Sequence, residues 1–176
     1  AERIAMESEL RHAVERDELF LQFQPCVDAA TLKTIGVEAL VRWRHPERGL
    51  IPPDRFIPIA DESGLIVDIG EWVLRQSCCQ AKSWHDQGYA DLSVSVNVSA
   101  VQFAQPRLLD TVTEARRQAR DVNAGTGIEH HDVARRTLPV LQRGDDHLPG
   151  LLHALHPDRL VALRPQTKVL RRNRVF

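Results

Sequence analysis

An α/β fold with a parallel sheet is predicted by three features of the sequence. The run Gly36-Val37-Glu38-Ala39-Leu40-Val41-Arg42-Trp43 is rich in β-branched residues and alternates. Val37, Ala39, Val41 and Trp43 therefore share one face of a strand, and Glu38, Leu40 and Arg42 share the other. Residues 92–98 alternate strictly, with Leu92, Val94, Val96 and Val98 on one side and Ser93, Ser95 and Asn97 on the other. An amphipathic helical pattern lies between these two runs. Strand, helix and strand in that order indicate a layer of parallel strands.

Taken in chain order, residues 5–17 read as a polar helix leading into a strand over 19–24, and residues 34–43 form the second strand. Pro46, Gly49, Pro52 and Pro53 make Arg44–Pro53 a connection. Asp54 is the expected N-cap of a short helix over 55–62, stopped by Gly64. The long helix runs from about Ile69 to Gln87, with Trp72, Val73, Cys79 and Trp84 largely on one side and Gly88 closing it. After the strand over 92–98, Ser99 and Gln102 fit a capping box that opens another helix. A basic helix over Glu114–Arg120 follows, and Leu148–Leu163 is expected as a short helix broken at Pro157.

Composition divides the chain near residue 113. Residues 1–112 carry 11 Lys/Arg against 17 Asp/Glu, whereas residues 113–176 carry 12 against 7, and 11 of those 12 are Arg. Phe176 is the sole aromatic after residue 112, so that segment has little from which to build a core. No apolar run is long enough to span a bilayer, and no signal peptide is expected from the opening residues. Cys26, Cys78 and Cys79 are odd in number and lack CxxC spacing, which suits a reducing, cytoplasmic compartment. They are expected to act as small buried hydrophobes. The tail arginines lack interleaved aromatics, which argues against nucleic-acid binding.

Glu38 and Arg42, aimed the same way from one strand, suit either a solvated cross-pair or a site that holds a metal and a phosphate. Magnesium and manganese take hard oxygen ligands, and Glu38 and Asn97 offer such oxygens from two different strands. His45, in a Pro-bounded turn, reads as structural.

A family resemblance weighs on the choice. The chain contains Leu19-Phe20-Leu21-Gln22-Phe23-Gln24-Pro25, then Val37-Glu38-Ala39-Leu40-Val41-Arg42-Trp43-Arg44-His45-Pro46. Gly49-Leu50-Ile51-Pro52-Pro53-Asp54-Arg55-Phe56-Ile57-Pro58, Ser63-Gly64-Leu65-Ile66 and Val94-Ser95-Val96-Asn97-Val98-Ser99-Ala100 follow. In order and interval, from about Leu10 to Val112, these resemble the EAL-domain family of bacterial cyclic di-GMP phosphodiesterases. The resemblance implies a (β/α)8 TIM-type barrel, which typically takes ~250 residues, so 176 residues are expected to form an incomplete one. It implies Glu38 and Asn97 as ligands of Mg²⁺ or Mn²⁺, Gln24 and Arg42 as contacts to the dinucleotide, and Leu40 as a wall of its pocket. Phe23 stands where the family commonly has Tyr.

The family's later motifs are not found: a Leu-Glu-Ile-Thr-Glu-Ser-like strand, an Asp-Asp-Phe-Gly-Thr-Gly-like loop, a Lys that orients the attacking water, and a further Glu. Asp145-Asp146 continues into His147-Leu148-Pro149 instead. The expectation is a linker helix over 1–17, the N-terminal part of an EAL domain over 18–112, and an Arg-rich, poorly ordered tail over 113–176. That tail is either unrelated or a frameshifted reading of a once complete domain. Ala1 falls within a helical pattern, as expected of a piece of a longer parent with a GGDEF domain upstream. Metal binding is expected to be weak and catalysis absent. The alternative is a degenerate, non-catalytic domain that binds cyclic di-GMP or a protein partner.

Overall fold

The computed structural model describes residues 2–32, 34–121 and 161–165, the last five as backbone. Helix α1, Glu2–Leu10, buries Met6 and Leu10 and then loosens into turns rather than continuing to residue 17. Asp17, at φ 54°, redirects the chain into β1; a left-handed conformation is one that Asp tolerates. Strands β1 (Leu19–Val27), β2 (Thr34–His45) and β3 (Gly49–Ile51) pair antiparallel in succession.

The parallel pairing expected from strand, helix and strand joins β2 to β4, whereas β1 and β2 are antiparallel for a physical reason. Residues 28–33 are too few for the crossover that parallel strands need. Residues 28–32 form a turn instead, in which the Asp28 carboxylate accepts from Ala30 N, Thr31 N and the Thr31 hydroxyl. The Thr31 hydrogen bonds hold the Asp28 carboxyl below its ordinary range.

Helix α2, Pro53–Ser63, starts on Pro53 with Pro52 at the cap and no side-chain cap bond. Asp54 is thus a first-turn acid facing the helix dipole, not the N-cap expected from its residue type. Gly64 ends the helix at φ 79°. Helix α3, Ile66–Asp86, terminates in a Schellman motif: Tyr89 N donates to Trp84 O, and Gly88 N, at positive φ, donates to His85 O. Its buried stripe is Ile66, Ile69, Gly70, Val73, Leu74, Ser77, Cys78, Gln80, Ala81 and Trp84. Trp72 and Cys79, expected on this stripe, sit half-buried at its margin, and Cys26 is half-buried on β1.

Strand β4, Val94–Val98, pairs parallel with β2, and the backbones come close where Val37 N donates to Ser93 O at 2.9 Å. A Cβ on Gly36 would stand 2.9 Å from that same Ser93 carbonyl, so a side chain there is excluded. Helix α4, Ala100–Phe103, opens on the expected capping box: Gln102 N donates to Ser99 Oγ, and Ser99 N donates to Gln102 Oε1.

Helix α5, Leu108–Asp121, runs through the compositional boundary after residue 112 and buries Ala115 and Ala119. Small apolar residues four apart let a largely charged helix pack closely, which a count of aromatics does not detect. Strand β5, Val161–Pro165, lies parallel to β4, so the expected helix over Leu148–Leu163 ends in strand. The rest of that expectation, and the poor order expected of the tail beyond residue 121, lie outside the described residues.

The strand order is β1-β2-β4-β5, with β3 beside the far end of β2. The core fills the space between one face of this sheet and the helices. Trp43, Trp84 and Phe56 are its largest fully buried side chains. Trp43 meets Phe56 edge-on at 5.7 Å, and Phe23 meets Trp84 at 4.9 Å. Burying Phe56 contributes ~1.5–3 kcal/mol. Among the described residues the sheet is open, and its other face carries the polar residues of interest.

Candidate functional site

Strand alternation and register bring the site residues together. Gln24 lies opposite Glu38 in the β1–β2 ladder, and Gln22 lies opposite Leu40. Residues paired in this way share a face, so Gln22, Gln24, Glu38, Leu40 and Arg42 line one surface. In the parallel ladder Glu38 pairs with Ser95, and Asn97 follows two residues later on the same face. Asn97 Nδ2 donates to Glu38 Oε1 at 2.7 Å. An ionised carboxylate only accepts, so the amide must present its nitrogen, which turns the Asn97 carbonyl oxygen away from Glu38.

Arg42 Nε donates to Gln22 Oε1 at 2.7 Å and Arg42 Nη1 to the Val41 carbonyl at 3.0 Å. A cavity of about 80 Å³ opens beside this group, among β2, α2, α3 and the end of β4. Leu40, Arg42, Ile57, Val73, Asn97 and Gln102 are among its lining residues. Of the five residues singled out in the sequence, Leu40, Arg42 and Asn97 thus meet at the cavity. Glu38 reaches it through Asn97, and Gln24 stands exposed across the ladder.

The end of β4 is held from behind. Gln102 is buried against Gly70 of α3, where an added Cβ would fall 1.7 Å from Gln102 Nε2. Gln102 also caps Ser99, two residues after Asn97. Sequence reasoning found the capping box but not Gly70, whose role is set by α3 crossing α4. It also passed over Gln22, although alternation with Gln24 places it on the site face.

Glu38 and Asn97 suit a hard divalent cation in chemistry. Glu38 and Asn97 offer oxygens, yet Glu38 already accepts the Asn97 amide. Among the described residues no group of three or more His, Cys, Asp and Glu side chains is placed to hold a metal. Two protein oxygens leave the other positions of such an ion to water and to substrate phosphate.

His45 is structural in its geometry. Its buried ring accepts from Glu47 N and Arg48 N at Nδ1, 3.2 Å each, so Nε2 carries the proton, and Glu9 Oε2 lies 3.4 Å from Nε2 as an ion-pair neighbour. This ties α1 to the β2–β3 turn. Burial, with Cys79 beside it, pushes the Cys78 thiol up to about 12. Among the described residues no helix is long and apolar enough to cross a membrane.

Comparison with known proteins supplies the family. The EAL domain family matches residues 7–137. The bifunctional diguanylate cyclase/cyclic di-GMP phosphodiesterase MucR of Pseudomonas aeruginosa is 50% identical over 114 residues, covering 65% of this chain and 17% of MucR. The cyclic di-GMP phosphodiesterase NbdA of the same organism is 42% identical over 147 residues, covering 81% of this chain and 19% of NbdA. A solved structure described as the PaMucR phosphodiesterase in complex with c-di-GMP superposes with a TM-score of 0.64 at 42% identity, over 79% of this chain and 58% of that one. The chain thus spans under a fifth of the length of these curated relatives. Both the family match and the NbdA alignment run past residue 112, where the motifs alone had ended the resemblance. The open sheet corresponds to part of an EAL barrel.

Proposed function

The chain belongs to the EAL domain family, and from that premise we propose that it binds cyclic di-GMP and does not hydrolyse it by itself. The observation that carries this reading is the 2.7 Å contact of Asn97 with Glu38 on neighbouring parallel strands, with Gln24 and Arg42 on the same face. Arg42 is the phosphate contact, because a guanidinium grips phosphate through paired donors. Leu40 walls the cavity against the nucleotide, and Gln24 reaches it from β1. Glu38 and Asn97 are the ancestral ligands of Mg²⁺ or Mn²⁺, reduced here to weak binding. The absent later Glu, Asp pair and Lys would act as a unit, and losing such groups lowers rate by orders of magnitude.

The reading extends to context. MucR is described as both cyclase and phosphodiesterase, which supports a GGDEF domain as neighbour in the parent protein. Three free cysteines, two of them adjacent, support a cytoplasmic setting.

The test is equilibrium binding of labelled cyclic di-GMP to the 176-residue chain with and without Mn²⁺, with chromatography for the linear dinucleotide. Saturable binding without product is expected. Turnover abolished by Glu38→Ala would overturn the non-catalytic half of the reading, and no saturation at millimolar nucleotide would overturn the other half.

A further inference from the structure

An arginine offers five N–H donors, one on Nε and two on each Nη. It can grip a phosphate side-on, through Nε and one Nη, or end-on, through both Nη groups. At Arg42 these edges are not equivalent. Nε is occupied by Gln22 Oε1 at 2.7 Å, and one Nη1 hydrogen by the Val41 carbonyl at 3.0 Å. An arginine has no acceptor, so Gln22 must present its carbonyl oxygen, which fixes the orientation of its amide.

Gln22 and Arg42 are diagonal neighbours across β1 and β2: Gln22 pairs with Leu40, and Arg42 pairs with Phe20. Gln22 is exposed and takes no part in the core. Its one recorded side-chain bond among the described residues is to Arg42.

We infer that Gln22 is a positioning residue for Arg42: it closes the side-on edge and presents the two Nη groups, end-on, to a phosphate in the adjacent cavity. This deepens the cyclic di-GMP reading and rests on it for the identity of the phosphate. A tethered guanidinium loses less rotamer freedom when it binds, so the bond raises affinity without itself touching the nucleotide.

The experiment uses the ¹⁵N-labelled 176-residue chain, with the Arg42 Nε–H resonance assigned by its loss in Arg42→Lys. That resonance is expected to be distinct and slow to exchange in the unmodified chain and in Gln22→Glu, which keeps an acceptor oxygen. In Gln22→Leu it should collapse into the signals of solvated arginines while the thermal midpoint stays unchanged. In parallel, Gln22→Leu should raise the Kd for cyclic di-GMP about tenfold. An Nε–H signal unaltered by Gln22→Leu, or equal Kd values, would overturn the inference. If the unmodified chain binds no cyclic di-GMP, the nucleotide reading falls separately, and the Nε–H signal still decides whether Gln22 holds Arg42.

Discussion

Asn97 Nδ2 lies 2.7 Å from Glu38 Oε1, although the backbone partner of Glu38 in the ladder is Ser95, two residues earlier in β4. The bond therefore slants across the sheet toward the C-terminal end of β4, the end at which barrel strands present their functional groups. It also ties together two residues that are 59 apart in the chain.

This bond should appear as a coupling energy. Hydrogen bonds to a charged partner contribute about 1.5–3 kcal/mol, and partial exposure places this one at the low end. A cycle of Glu38→Ala, Asn97→Ala and the double variant, read by urea unfolding, should give a coupling of about 1–2 kcal/mol. Strict additivity would mean that the two side chains do not meet in solution.

Gly70→Ala should destabilise, against the usual direction for an exposed helix. Replacing a helical glycine by alanine ordinarily gains ~1 kcal/mol. Here the new methyl would fall 1.7 Å from Gln102 Nε2 and evict a buried side chain that caps Ser99. Eviction leaves the buried Ser99 N–H without its acceptor, at about 1–3 kcal/mol. The sign should reverse in a Gln102→Ala background, where Gly70→Ala becomes neutral or stabilising. Destabilisation of equal size in both backgrounds would show that Gln102 is not what the methyl strikes.

These two relationships mark how far the sequence alone could be read. Alternation over 36–43 and 92–98 is enough to place Glu38, Leu40, Arg42 and Asn97 on one sheet face, because a strand has a strict period of two. The capping box at Ser99 and Gln102 is equally local. What was not legible depends on elements meeting in space. The antiparallel β1–β2 pair follows from a link too short for a crossover, β3 from a three-residue return, and the need for glycine at position 70 from a neighbouring helix. Helix α5 likewise runs through the compositional change after residue 112. Ala115 and Ala119 bury themselves against the layer with no aromatic signal, inside a helix whose other residues are mostly charged.

Trp43→Phe should cost more than the lost ring volume. Trp43 Nε1 donates to Glu18 Oε2 at 2.9 Å, and both residues are buried. Removing the indole N–H leaves a buried carboxylate oxygen short of its donor, at about 1–3 kcal/mol. Removing both partners in Trp43→Phe/Glu18→Leu should recover part of that loss, since an apolar pair leaves no orphaned group. Melting temperatures of the three variants check this. A double variant less stable than Trp43→Phe alone would show that Glu18 is held by other partners.

Stability should fall with alkali in a way that can be traced to Cys78. Burial, first, and then the neighbouring Cys79 push this thiol up to about 12 from an ordinary 9.0, with Arg116 opposing. The folded chain thus keeps a proton that the unfolded chain releases near pH 9. Above that point the unfolded state binds fewer protons, so unfolding free energy declines as pH rises from about 9 toward 12. The limiting slope for one such group is about 1.4 kcal/mol per pH unit. Cys78→Ala loses packing and should be less stable at pH 7, but it has no thiol to titrate. The gap between the two proteins should therefore narrow at pH 10 and above in urea unfolding followed by circular dichroism. A gap that stays constant from pH 7 to 11 would show that Cys78 ionises as readily in the folded chain as in the unfolded one.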